Sequence, residues 1–151
     1  MKRSMFSFAL ALAILVFGAS AALAQSGHFV GTQTCQDVGT SLQCSGKVAG
    51  LGGTTFEIRV TADGTASVEC ANPAGNVAPG QSFTFDAEGS TGSLPTPRNG
   101  QFRYTVATQA PSAPAGSCPN PKWTATVTDV SFTNITLELF EGGVLVDSAT
   151  V

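Results

Sequence analysis

Histidine is almost missing from this chain of 151 residues: His28 is the only one, beside one tryptophan, Trp123, and one tyrosine, Tyr104. That scarcity disfavours histidine-based catalysis and histidine-ligated metal. A Ser–His–Asp arrangement needs a sheltered, oriented base, and His28 reads as surface on a fraying N-terminal end. There is no Gly-x-Ser-x-Gly elbow, since Gly80-Gln81-Ser82-Phe83-Thr84 lacks the second glycine. Gly50-Leu51-Gly52-Gly53 matches neither phosphate-binding fingerprint and reads as a loop between strands. Charge is sparse as well, at 11% of residues. With no basic patch, nucleic acid and anionic membrane are not expected as partners. No window carries an apolar stripe of helical period. No cofactor is expected.

What is present begins with a leader. Lys2 and Arg3 precede an apolar run from Met5 to about Phe17, which closes on Ala19-Ser20-Ala21-Ala22-Leu23-Ala24. This is the order of a helical secretory signal peptide, residues 1–24, with its cut before Gln25. The apolar run is short of the roughly 20 residues of a membrane span, so no span is expected after cleavage. The residue directly after the cut is Gln25 rather than cysteine, and Leu94-Pro95-Thr96-Pro97 has no apolar tail behind it, so neither lipid nor wall anchoring is expected. The mature part, 25–151, is read as a single secreted or periplasmic domain. It holds five Lys/Arg against ten Asp/Glu, a net charge of −5, and all 18 threonines. Threonine in that abundance favours strands over disorder.

The four cysteines, Cys35, Cys44, Cys70 and Cys118, all follow the leader. An even count in an exported chain reads as two disulfides. Gaps of 8, 25 and 47 residues, with one histidine to help, do not suit zinc, whose ligands pair at two to four residues. Of three pairings, Cys35–Cys44 with Cys70–Cys118 is preferred. The first pair flanks a turn-like stretch and the second joins a strand end to the approach of another. On the loop-entropy model they contribute about 2.7 and about 4 kcal/mol.

Alternation of period two dominates the rest. Leu42, Cys44, Gly46 and Val48 share a face; so do Phe56, Ile58, Val60 and Ala62, with Glu57, Arg59 and Thr61 opposite. Asp63-Gly64 follows as a hairpin signal, and Ala66, Val68 and Cys70 form the expected return strand. Further strands hold Phe83, Phe85 and Ala87, then Phe102, Tyr104 and Val106. Trp123, Ala125 and Val127 come next, with Trp123 read as a core residue. The apolar parity then changes between Val130–Phe132 and Ile135–Leu137–Leu139, which requires bulges near Asp129 and Asn134. Glu141-Gly142-Gly143 supplies a last turn before Val144-Leu145-Val146. All eight prolines fall between these runs. Eight or nine short strands without helices predict an all-β, antiparallel β-sandwich of immunoglobulin-like architecture, with a small barrel as runner-up.

Cys70-Ala71-Asn72-Pro73 and Cys118-Pro119-Asn120-Pro121 repeat one spacing. A Cys70–Cys118 bond would set two Asn-Pro turns side by side, near the loops Ser90–Gly100 and Gln109–Ser117. Asn72, Asn76, Gln81 and Asn120 could then offer amide contacts to a glycan or to another exported protein, with Trp123 or Tyr104 as a stacking face. Simple turn chemistry explains the same residues and is the preferred reading. Cys70–Gln81 and Cys118–Trp123 resemble segments of small exported bacterial β-domain proteins of uncharacterised function. The resemblance implies an exported bacterial β-domain and carries no activity.

Glycoside hydrolysis needs two carboxylates facing across a cleft. Asp86 with Glu88, and Glu57 with Arg59, read instead as ordinary solvent-facing positions. Asp37, Asp63 and Asp147 belong to no clustered calcium loop, and Asn134-Ile135-Thr136 is an acceptor sequence for glycosylation. The expectation is a non-enzymatic exported domain with a binding or structural role at the cell exterior. Its rivals are an enzyme whose site forms only in three dimensions, and a protease inhibitor presenting Arg98 on Ser90–Gly100 or using Gln109–Ser117.

Overall fold

A computed structural model describes residues 27–151, all-β and antiparallel. The leader and its cut before Gln25 lie outside the described residues. In chain order the strands are β1 (His28–Asp37), β2 (Leu42–Ala49), β3 (Thr55–Ala71), β4 (Val77–Pro79), β5 (Phe83–Ser90), β6 (Leu94–Pro95), β7 (Phe102–Ala107), β8 (Thr124–Glu141) and β9 (Val144–Thr150). Three strands form one sheet in the order β1-β2-β7. In the other sheet β3 is the hub. One of its edges pairs with β8, and β9 follows; its other edge takes β6, β5 and β4 in turn along its length.

The two sheets pack through their alternating apolar faces. Leu42, Cys44, Val48, Tyr104 and Val106 of the smaller sheet meet Phe56, Ile58, Val60, Ala62, Leu137 and Leu139 of the larger, all of them buried. Phe56 and Phe102 meet edge-on with ring centroids 5.0 Å apart, a favoured aromatic geometry. The Tyr104 hydroxyl donates to Gln33 Oε1 at 2.6 Å. Burial pushes this phenol up to about 12, so it stays a donor.

Both open sides of the sandwich are laced. Gly27 N–H donates to Glu141 Oε2 and Phe29 N–H to Asp147 Oδ2, tying the start of β1 to β8 and β9. On the opposite side Gln109 N–H, just past β7, donates to the Glu88 carbonyl of β5. Cys35 and Cys44 face each other directly across the β1–β2 ladder and are bonded. Cys70 at the end of β3 is bonded to Cys118 in the loop before β8. Both bonds follow the preferred pairing.

Three expectations need correcting. Asp63-Gly64 is not a hairpin, because β3 runs through it for 17 residues, and β8 is 18 residues long, so these are not short strands. Gly64 pairs with Phe85 on one side and Phe132 on the other. A Cβ there would stand 2.5 Å from Phe85 Cε1, so glycine serves here as a seat for the Phe85 ring rather than as a turn. Gly64→Ala should therefore destabilise by about 1–3 kcal/mol in denaturant unfolding, the range for overpacking. Second, Trp123 is half-buried in the turn before β8 and does not belong to the core. Third, His28 does not lie on a fraying end but opens β1, paired with Ala49.

The bulges on β8 fall where parity places them. Thr128 is the extra residue between Asp129 and Val127, opposite Ser67 and Val68. The other bulge contains Asn134, whose φ of 52° is the one positive value outside glycine among the described residues. Asn134 Nδ2 donates to Asp63 Oδ2 at 2.6 Å across the irregularity. Gly142 and Gly143 both have positive φ, as a two-residue hairpin turn between β8 and β9 requires.

Candidate functional site

The outer face of the larger sheet concentrates acid. Strict alternation along β3, β5 and β8 turns Glu57, Asp63, Glu69, Asp86, Glu88, Asp129 and Glu138 outward, seven of the ten carboxylates in the chain, against one cation, Arg59. A trough of about 750 Å³ lies in this face. Glu57, Arg59 and Thr61 of β3 run through it, Asp86, Glu88 and Ser90 of β5 flank one side, and Glu138 of β8 the other. Gln109, Ala110 and Pro111 rim it beyond β5.

One polar network inside the trough is pre-set. Arg59 Nε and Nη2 donate to Glu57 Oε1 and Oε2 at 2.8 and 3.1 Å, a bidentate pair. The Ser90 hydroxyl donates to Glu57 Oε1 at 2.6 Å and accepts from Gly92 N–H at 2.8 Å. The Arg59 guanidinium also lies over the Phe140 ring, 4.3 Å from its centroid. The hydrogen bonds from Arg59 and Ser90 hold the Glu57 carboxyl below the 4.5 of a free glutamate, and Glu57 in turn raises Arg59. Glu138 and Glu88 add a weaker pull on the same guanidinium. Asp86, Glu88 and Glu138 form no ion pair among the described residues.

Electrostatically the face is acidic, with its one arginine already paired. Glu57, with a lowered affinity for protons, is a weak base toward Ser90, and the Ser90 oxygen is already engaged by a turn. No group of three His, Cys, Asp or Glu among the described residues is placed to hold a metal ion.

The sequence reading treated Glu57, Arg59, Asp86 and Glu88 as unrelated surface positions; the structure brings them together. Ser90 and Gln109 figure there only as the first residues of two loops, and Glu138 not at all. Their convergence depends on pairing between β3, β5 and β8, which no local pattern announces. Glu138 alone carried a signal, as the polar residue between Leu137 and Leu139 on a strand of period two.

The Asn-Pro junction forms as expected, but its amides serve their own turns. Asn72 Oδ1 accepts from Ala74 N–H and Asn76 N–H at 3.0 and 2.9 Å, and Asn120 Oδ1 accepts from Lys122 N–H at 2.9 Å. Gln81 N–H donates to the Ser117 carbonyl, so the Gln109–Ser117 loop does reach this end. Ser90–Gly100 does not. Through β6 and the bond from Thr96 N–H to the Thr54 carbonyl it packs at the opposite end of β3. Arg98 there sits inside a tight turn closed from Gly100 N–H to the Pro97 carbonyl, rather than on an extended loop. Tyr104, buried at 3% exposure, is unavailable for stacking.

Compared with protein-family models, with curated proteins and with solved structures, the chain finds no match in any of the three.

Proposed function

We propose that the chain is an exported, non-enzymatic domain that acts by binding, with the acidic trough as its binding face and a cationic partner surface as its ligand. The observation that carries this reading is the trough itself: three carboxylates without ion pairs surround a Glu57–Arg59–Ser90 network fixed before any ligand arrives. Pre-set polar groups lose little freedom on binding. Export is supported by the leader pattern and by two disulfides, which persist in oxidising compartments. The immunoglobulin-like label is proposed on architecture alone, two antiparallel sheets packed face to face.

Titration calorimetry with an oligolysine peptide tests the reading. Binding is expected for the wild type, should weaken at least tenfold in Glu88→Lys with Glu138→Lys, and should fade with added salt. Because the Glu57 value is depressed, its carboxylate is available above 4.5 and is lost as pH falls through the lowered value. The Glu57–Arg59 pair that shapes the trough should therefore persist below the usual glutamate range before it is lost. Equal binding of oligolysine by the charge-reversed variant would sink the proposal. Release of reducing ends from a polysaccharide, lost in Glu138→Gln, would make the trough an active site instead. Retention on cell-wall glycan that disappears in Asn72→Ala or Asn120→Ala would move the binding face to the Asn-Pro junction.

A further inference from the structure

We infer that the trough receives the outer face of the three-stranded sheet of a second copy, so that the chain stacks on itself head to tail. The inference rests on reading the trough as a face for cations and adds what carries them.

Outward on β2 stand Gln43, Ser45, Lys47 and Ala49, and on β7 Arg103, Thr105 and Ala107. The charged members, Lys47 and Arg103, are both cations, and they are direct partners in the ladder. Like charges set opposite each other weaken a strand pair. Neither finds an ion-pair partner among the described residues, and the residue across from Lys47 on β1 is the exposed Val30. Nothing in the fold itself calls for this pair. It becomes favourable once carboxylates arrive from outside.

The same molecule holds those carboxylates on its other outer face. With Arg59 taken by Glu57, the trough keeps Asp86, Glu88 and Glu138 for an incoming cation. Lysine and arginine carry their charge on long stems that reach into a depression, and the arginine fork fits a carboxylate bidentately. Because the two faces lie on opposite sides of one sandwich, the contact is heterologous and propagates into a chain of copies instead of closing as a two-fold dimer. The net charge of the mature part opposes approach at long range. At physiological salt that repulsion is screened beyond about 8 Å, and the facing groups decide.

Sedimentation velocity of the purified protein over a concentration series tests this. Species growing with concentration at physiological salt, and dispersing at about 1 M salt where screening shortens to about 3 Å, are expected. Lys47→Glu with Arg103→Glu should abolish growth, and so should Glu88→Lys with Glu138→Lys, each with an unchanged circular dichroism spectrum. Mixing the two variants should restore growth, since each trough then meets a small-sheet face of opposite charge. A wild type that stays monomeric throughout yet binds oligolysine overturns the stacking and leaves the binding face standing. One that is monomeric and ignores oligolysine overturns both. Growth that survives either charge reversal also overturns the stacking.

Discussion

Glu141→Ala should remove about 3–5 kcal/mol of folding stability, as much as truncating a large apolar residue of the core. Glu141 is fully buried, at 0% exposure. Its Oε1 accepts from Gly52 N–H at 2.7 Å and Gly53 N–H at 3.1 Å, and its Oε2 from Gly27 N–H at 3.3 Å. Alanine leaves three main-chain donors without this acceptor, each at about 1–3 kcal/mol when buried, and opens a void beside Leu51 and Leu139. Partial relaxation and entry of water keep the total below the simple sum. Glu141→Gln retains one carbonyl oxygen for Gly52 and Gly53 but turns an NH2 group toward a donor, and should lose about 1–2 kcal/mol. Urea unfolding of the three proteins checks the order. A Glu141→Ala loss no greater than that of Glu141→Gln would show that the carboxyl is not what holds the glycine loop. Since a small domain has only about 5–15 kcal/mol in total, the alanine variant should also unfold at markedly lower temperature.

The Cys70–Cys118 bond ranks second. It closes a loop of 48 residues, for which the chain-entropy model gives about 4 kcal/mol. Replacing both cysteines by alanine should lower the urea midpoint accordingly, while the Cys35–Cys44 pair, spanning only 9 residues, should matter less by more than 1 kcal/mol on the same model. The asymmetry has a packing cause as well. The end of β3 from Ala66 onward extends past the main core, and Val68 and Cys70 are covered there by Gly80 and by the Ser117 main chain. Without the bond, the cover over Val68 and Cys70 should loosen first. Hydrogen exchange would show this as faster exchange at Gly80 and Gln81, whose amides donate to Val68 and Ser117 carbonyls, than at Ile58 or Val60. Uniform loss of protection along β3 would contradict a local role.

The strand assignments were legible because apolar residues alternate and prolines stand aside. Pro79 and Pro95 do enter strands, but only the short segments β4 and β6 at the edge of the sheet, where a missing N–H is tolerated. The Asp63-Gly64 reading failed for a reason that parity itself contains. A two-residue turn sets positions 62 and 65 opposite each other and inverts the buried parity beyond the turn. Yet Ala66, Val68 and Cys70 keep the even parity of Phe56, Ile58, Val60 and Ala62, as one continuous strand must. Turn propensity was given weight over register, and register was the stronger constraint. Glu141 was hidden in the same way behind Gly142-Gly143. Its odd position, in phase with Ile135, Leu137 and Leu139, already marked it as inward-facing. The trough stayed invisible because its residues come from strands joined only by long-range pairing.

That long-range pairing also sets the order of events when the chain folds. The β3–β8 ladder joins residues between 53 positions apart, at Ala71 and Thr124, and 85 apart, at Phe56 and Glu141. Pairing at such separations is slow, because most of the chain must be gathered before the ladder rewards it. The hub strand therefore has no permanent neighbour on that edge until the last segment of the polypeptide has been made. The β1–β2 and β3–β5 ladders draw on much nearer segments, so the sheets can be half-built while the β8 edge of the hub strand still stands open.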